Sequence, residues 1–312
     1  MTVPAGQPRH ARHARLATLL LVCVTAVWGS TFFLIRDLVE HVPPADFLAV
    51  RFGIAALVMF VLFRRQTLAL TRHQLRVGVV LGVLYGVAQV LQTTGLQHTD
   101  ASVSGFITGT YVVLTPVLGA VLLHDRIGRV TWFAVGLATV GLALLSLQGF
   151  SVGIGEALTL LSALLYAGHI VALGRWSTPG AAVGLATVQA GVITVVTAVV
   201  AVPDGLTLPA DGRQWASLLY MALAAGALAL WAQTWAQAHL TATRAAIVMA
   251  LEPVFAALFA VTLGGESLTR RMLVGGALVV AAMYLVELRS TPRDPLASAA
   301  DDPPVEALHH DV

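Results

Sequence analysis

The sequence predicts an all-α integral membrane protein of ten transmembrane helices arranged as two inverted five-helix repeats. Three observations predict it. Ten apolar stretches, each near the ~20 residues a helix needs to cross a bilayer, follow one another from Leu16 to Leu288. Only 11% of the 312 residues are charged against 57% hydrophobic, too little polar surface to cover a soluble core, so lipid is the expected solvent. The second five stretches repeat the first five.

The spans are expected at 16–36, 44–63, 74–97, 101–123 and 128–147, then at 155–175, 180–202, 213–237, 243–263 and 269–288. The chain divides accordingly into a cytoplasmic N-tail over 1–15, a first repeat over 16–150, a second over 151–289 and a cytoplasmic C-tail over 290–312. Arg9 to Arg15 ahead of an apolar run has the outline of a signal peptide, but no small-x-small site precedes the polar stretch at Arg36; an uncleaved first helix is expected. The joints carry turn chemistry: Pro43 with Pro44, Gln97 to Asp100, Gly149 to Gly155, Thr178 to Gly180, and Pro203 to Gly212. From Ser290 onward, prolines and aspartates offer nothing to bury, which predicts disorder.

Charge sets the orientation and removes several function classes. The N-tail, Arg64 to Arg76, Arg126 with Arg129, Arg175, Arg244, Arg289 and Arg293 fall on one side, which should be cytoplasmic, with both termini there. A multi-pass protein of the cytoplasmic membrane follows. The basic residues lie at span ends rather than clustered among aromatics, which argues against nucleic-acid binding. One cysteine, Cys23, excludes an internal disulfide and a cysteine-based metal site. Without a single lysine the chain cannot form a phosphate-binding Gly-x4-Gly-Lys loop, so any driving force comes from a gradient. No cofactor is implied, and a homodimer is left open.

The repeat aligns Trp28-Gly29-Ser30 with Tyr166-Ala167-Gly168, Arg51-Phe52-Gly53 with Gln189-Ala190-Gly191, and Gln97 with Gln237. Asp125-Arg126-Ile127 matches Glu266-Ser267-Leu268, while Pro116 and Pro253 are offset by about one turn. Five spans is an odd number, so the second unit enters the membrane upside down, the inverted repeat of secondary transporters. Through Trp28-Gly29-Ser30-Thr31-Phe32, the segment Gly105 to Tyr111 continuing to Pro116, and Thr243-Arg244-Ala245-Ala246 through Leu251-Glu252-Pro253-Val254-Phe255 with Gly265-Glu266-Ser267, the chain resembles the EamA-type family of the drug/metabolite transporter superfamily. The resemblance covers nearly all of Leu16 to Leu288. It implies ten helices around a central cavity, alternating access, and export of amino acids or other small metabolites. One departure is the acidic turn His124-Asp125-Arg126, where the family usually has Gly-Glu-Arg.

Polar side chains inside apolar spans are the candidate cavity lining. Glu252 lies near mid-span, where an ionised carboxylate is costly, and is the candidate for proton coupling; a local role, satisfying backbone groups around the break at Pro253, competes with it. His169 shares one helical face with Thr159, Ser162 and Tyr166, open either to substrate or to a hydrogen bond with a neighbouring helix. Tyr85, Gln89 and Gln92 form one face, and Ser104, Thr108, Tyr111 and Thr115 another. Both faces suit a cavity, while Gly78, Gly82 and Gly86 suit close helix packing beside it. Trp28 and Trp231 lie deep in their spans and are candidate cavity walls; core packing is the alternative. Gln233 belongs to the same set, whereas Gln237 one turn on is expected to meet water. Arg51, near the outer end of its span, is expected to snorkel and pair with Asp46 or Asp37. Pro116 and Pro253 are candidate helix kinks. No other histidine lies mid-span, so no metal site is expected.

The function expected is a secondary transporter exporting a small metabolite, an amino acid or similar amphipathic compound. Its alternatives are drug efflux or metabolite uptake by the same fold. An intramembrane enzyme is disfavoured: there is no His-Glu-x-x-His and no Gly-x-Ser-x-Gly. A non-transporting scaffold predicts no cavity. The partners implied are a small-molecule substrate and membrane lipid.

Overall fold

A computed structural model describes residues 7–99, 101–124, 126–146, 153–201, 205–263 and 269–289. Every regular element among them is helical. In chain order these are α1 (Gln7–Gly29), α2 (Phe32–Val39), α3 (Pro44–Leu68), α4 (Arg72–Gly95), α5 (Ala101–Gly109), α6 (Tyr111–Leu122), α7 (Arg129–Ser146), α8 (Ile154–Trp176), α9 (Ala182–Ala201), α10 (Gly212–Ala222), α11 (Ala229–Gln237), α12 (Ala242–Met249), α13 (Glu252–Thr262) and α14 (Arg270–Arg289). A π-helical stretch, Leu223–Leu228, joins α10 to α11. Among the described residues six stretches are long and apolar enough to cross a membrane: Pro44–Leu68, Arg72–Gly95, Ile154–Trp176, Ala182–Ala201, Gly212–Gln237 and Ala242–Phe259. Ile107–Leu122 and Arg129–Leu144 are shorter apolar helices. The outward faces fit a lipid solvent. Leu57, Val61 and Leu62 on α3 and Val195 and Val199 on α9 are each more than 60% exposed, a surface that in water would invite association.

Local chemistry sets the helix ends. Pro44 opens α3 where its missing N–H is not needed, after Pro43. Thr71 and Gln74 form a capping box at α4, the Asp211 carboxylate accepts from Gln214 N at 2.8 Å at α10, and Glu156 Oε2 accepts from Gly153 N at 2.8 Å at α8. Glu156 Oε1 accepts from Thr99 Oγ1 at 2.6 Å, tying the start of α8 to the end of α4. The first helix begins at Gln7, so much of the stretch expected as an N-tail is helical. The expected C-tail and the acidic turn at Asp125 and Glu266 lie outside the described residues.

Three expected continuous spans are each split. Ser30 and Thr31 separate α1 from α2, Thr110 separates α5 from α6, and Ala250 with Leu251 separates α12 from α13. At each split one N–H reaches back three residues instead of four: Thr31 N to Trp28 O at 2.9 Å, Thr110 N to Ile107 O at 3.1 Å, and Leu251 N to Val248 O at 3.1 Å. The Thr31 and Thr110 hydroxyls donate to the same carbonyls, of Trp28 and Ile107, which favours the tighter turn. The kink expected at Pro116 is therefore displaced. α6 runs on through Pro116, and the discontinuity lies six residues earlier, at Thr110. Pro253 adjoins its split as the second residue of α13, where it takes no hydrogen bond from the helix.

Close backbone approach assembles the bundle. An added Cβ at Gly82 would lie 2.6 Å from Val192 Cβ, and one at Gly78 2.8 Å from Val188 Cγ1, so the glycine ladder of α4 seats α9. In the same way Gly95 admits Thr159 of α8, and Gly141 of α7 rests on the backbone of α14 at Gly275. α3 packs chiefly along α9, α7 along α14, α4 along α8 and α9, and α1 along α11.

Candidate functional site

One cavity, of about 70 Å³, opens at the three helix splits. That is room for several water molecules at roughly 10–15 Å³ each. Each split contributes wall residues: Trp28 and Thr31 at the first, Thr108 and Tyr111 at the second, Met249 and Glu252 at the third. The α4 face supplies Tyr85, Gln89, Gln92 and Thr93; α8 supplies Tyr166, His169 and Ile170; α3 supplies Arg51 and α11 supplies Gln233. Ile35 and Leu96 complete the lining.

The polar wall is held by a hydrogen-bond chain running across helices. Tyr166 Oη donates to Gln92 Oε1 at 2.8 Å, and Gln92 Nε2 donates to Thr108 Oγ1 at 2.9 Å, joining α8, α4 and α5. Tyr85 stands edge-on to Tyr166 and His169, with ring centroids 5.4 and 5.1 Å away, so the α8 rings fix its orientation. Gln189 on α9 donates its amide to Leu185 O and Thr234 Oγ1, which turns its Oε1 toward His169 at 2.9 Å. His169 Nε2 then carries the proton, and Nδ1 is left as an acceptor. His169 thus bonds to a neighbouring helix through one nitrogen and lies on the cavity wall. Gln233 Nε2 donates to Gln237 Oε1 at 3.2 Å, and Gln237 Nε2 to Ile170 O at 2.9 Å.

Three wall atoms have no partner among the described residues: Tyr111 Oη, His169 Nδ1 and Gln233 Oε1. Buried polar atoms are normally satisfied, since an orphaned one costs about 1–3 kcal/mol. Three such atoms around one cavity mark a surface that expects water or a polar solute.

The π-helical stretch supplies the fourth side. Ala229 N bonds to Ala224 O and Gly226 O and leaves the carbonyl of Ala225 aside. That oxygen accepts from Trp28 Nε1 at 3.0 Å and from Arg51 Nη2 at 3.3 Å, while Arg51 Nε donates to Met221 O at 3.2 Å. Arg51 is 3% exposed, with Phe52 and Phe47 rings 5.0 and 5.7 Å from its guanidinium carbon.

Trp28, Tyr85, Gln89, Gln92, Thr108, Tyr111, Tyr166, His169, Gln233 and Glu252 are thus brought together, and Trp231 is not. Trp231 packs beside Val24, Ala229 and Ala232 between α1 and α11, because the π-helical stretch just before it turns the following helix away from α-helical register. Gln237, expected to meet water, is fully buried. Arg51 does not pair with Asp46, whose Oδ2 accepts from Thr207 N at 2.8 Å, and the side chain of Asp37 lies outside what the structure describes; Arg51 lines the cavity. Its signal was present in the sequence as a charge in an apolar span. The neighbours that draw it inward were not, because nothing in Leu223–Leu228 marks a π turn. Among the described residues no three His, Cys, Asp or Glu side chains gather where they could hold a metal ion.

Comparison with known proteins agrees with this architecture. The profile of the EamA-like transporter family matches the chain twice, over residues 15–147 and 153–288. An uncharacterized transporter of Archaeoglobus fulgidus is 33% identical over 274 residues, 88% of this chain and 86% of that protein. The pseudopaline exporter CntI of Pseudomonas aeruginosa is 27% identical over 85% of this chain and 93% of its own length. A probable amino-acid metabolite efflux pump of Salmonella typhimurium is also 27% identical, again over 85% and 93%. A solved crystal structure superposes with a TM-score of 0.73 at 17% identity, covering 88% of this chain and 97% of that one, and shares the fold. With its profile matched over both halves, the chain is a multi-pass membrane protein that belongs to the EamA-like transporter family.

Proposed function

We propose that the protein is a secondary transporter that exports a small metabolite, an amino acid or similar amphipathic compound, across the cytoplasmic membrane. It works by alternating access between two inverted repeats of five spans. One observation carries this reading: a polar cavity whose walls come from both halves, with Trp28, Gln92 and Thr108 from the first and Tyr166, His169 and Glu252 from the second, and with unsatisfied atoms facing it. Discontinuous helices around a central site are the usual construction of transporters, because an interrupted helix lends backbone and side chains to a solute at membrane depth.

Ten spans are obtained by counting α1 with α2, α5 with α6, α10 with α11, and α12 with α13 as one each. The packing supports a two-fold relation between the halves. Exchanging each span for the one five places on returns α3 against α9 and α7 against α14 to themselves, and turns α4 against α8 into α11 against α1. The separate match of each half to one family profile points the same way. Arginine asymmetry favours a cytoplasmic location for both termini. The names of two relatives, a pseudopaline exporter and a probable amino-acid metabolite efflux pump, favour the outward direction. Glu252, the acidic residue on the cavity wall, is the candidate for coupling export to protons.

The test is a metabolite-wide comparison of medium from cells with and without the expressed protein. At least one amino-acid-like compound should accumulate outside faster with it. Indistinguishable media, or faster depletion of a compound from the medium, would contradict export.

A further inference from the structure

We infer that Arg51 forms an anion subsite on the cavity wall and that the transported solute presents a carboxylate to it. The inference rests on the transporter reading only in supposing that a solute enters this cavity. Arg51 is a permanent cation on an apolar helix, 3% exposed, and a charge so placed is costly unless paired. None of the acidic side chains that the structure describes, a set without Asp37, pairs with it: its contacts are the carbonyls of Met221 and Ala225 and the rings of Phe47 and Phe52. Asp46, five residues before it, is engaged by Thr207 N.

The pattern of donors decides what would pair. A guanidinium has five N–H groups, and the Nε–Nη2 edge uses two of them on the carbonyls. This edge fixes the plane of the group against the π-helical turn and leaves the Nη1–Nη2 end as a fork. A planar fork of N–H donors matches the two oxygens of a carboxylate, which would supply both the missing charge and a pair of parallel hydrogen bonds. The surroundings add discrimination. Phe52, with its ring centroid 5.0 Å from the guanidinium carbon, stands beside it as an apolar wall and is itself held edge-on to Tyr85, centroids 6.2 Å apart. Arg51 is a specificity-determining residue on this account, not a surface charge.

Thermal unfolding of the purified full-length chain in detergent reads the subsite without requiring transport. The probes are L-amino acids and 2-hydroxy and 2-oxo acids, each beside its own carboxamide, with inorganic phosphate as a second oxyanion. The result expected is protection by one or more acids at a half-saturating concentration at least tenfold below that of the matching amide, with phosphate ineffective. In Arg51→Gln the acid should lose its advantage to within about twofold. Arg51→Lys, which keeps the charge but not the fork, should fall between, and it serves where the glutamine variant fails to fold. An amide as protective as its acid, phosphate protecting as well as the acids, no protection by any acid, or an acid preference that survives both substitutions would overturn the assignment. The two readings fail separately. Export without acid preference removes the subsite and leaves the transporter, whereas acid binding without export does the reverse.

Discussion

Gly29 is the last residue of α1, where that helix crosses the start of α13, and replacing it with alanine should damage both stability and transport. A Cβ there would lie 2.7 Å from Phe255 Cβ, 2.8 Å from Ala256 N and 2.9 Å from Glu252 O. Ordinary carbon contacts are ~3.5–4.0 Å, so the methyl would interpenetrate its neighbours by about 1 Å. Two of the three atoms are backbone, so no rotamer change relieves the clash; one helix must move. Overpacking of this kind costs ~1–3 kcal/mol, between about fivefold and about 160-fold in an equilibrium constant. The displaced helix carries Glu252 and the third split, so the cavity shifts with it. Gly105→Ala is the control: it too lies in an apolar helix, but beyond its own helix backbone no heavy atom of the described residues lies within 4 Å of its added Cβ. Alanine there should be neutral or stabilising by up to ~1 kcal/mol, from helix propensity alone. Thermal unfolding in detergent should place Gly29→Ala several degrees below the wild type and Gly105→Ala level with it or above. Equal melting of the two variants would refute the packing argument.

Two further predictions follow from the cavity wall. Glu252→Gln keeps the shape but removes the titrating group, so export should continue with its dependence on an imposed pH gradient abolished; an unchanged response would remove Glu252 from coupling. Trp28→Phe loses the 3.0 Å bond to Ala225 O and should slow export severalfold, while Trp231→Phe, away from the cavity, should leave it within about twofold of the wild type. Efflux of the same exported compound measures both.

Much of this site was legible because lipid makes polarity informative. In an apolar span a glutamine, tyrosine or histidine has few places to go but inward, so Tyr85, Gln89 and Gln92 on one face of α4 located the cavity without any tertiary information. The same rule does not separate lining from packing. On the α8 face Tyr166 and His169 reach the cavity, whereas Thr159 bonds to Gly155 O and fills the space that Gly95 leaves. The helix splits were less legible, since proline was the expected cause. Two of them are instead made by the hydroxyls of Thr31 and Thr110, residues that elsewhere in the chain, as at Thr194 and Thr197, bond back to the helix without breaking it. Least legible was the π-helical stretch. Its sequence, Leu-Ala-Ala-Gly-Ala-Leu, reads as plain helix, yet it turns Trp231 away and offers the carbonyl that holds Trp28 and Arg51.

Alternating access through this cavity is tested most directly by thiol accessibility from the two sides of the membrane. Cys23 is exposed on α1 and can be replaced by alanine, after which Thr108→Cys sets the only thiol on the cavity wall. A membrane-impermeant maleimide should label that cysteine both in intact cells and in inside-out vesicles, because the cavity opens in turn to each side. Labelling from one side alone, or from neither, would contradict the account.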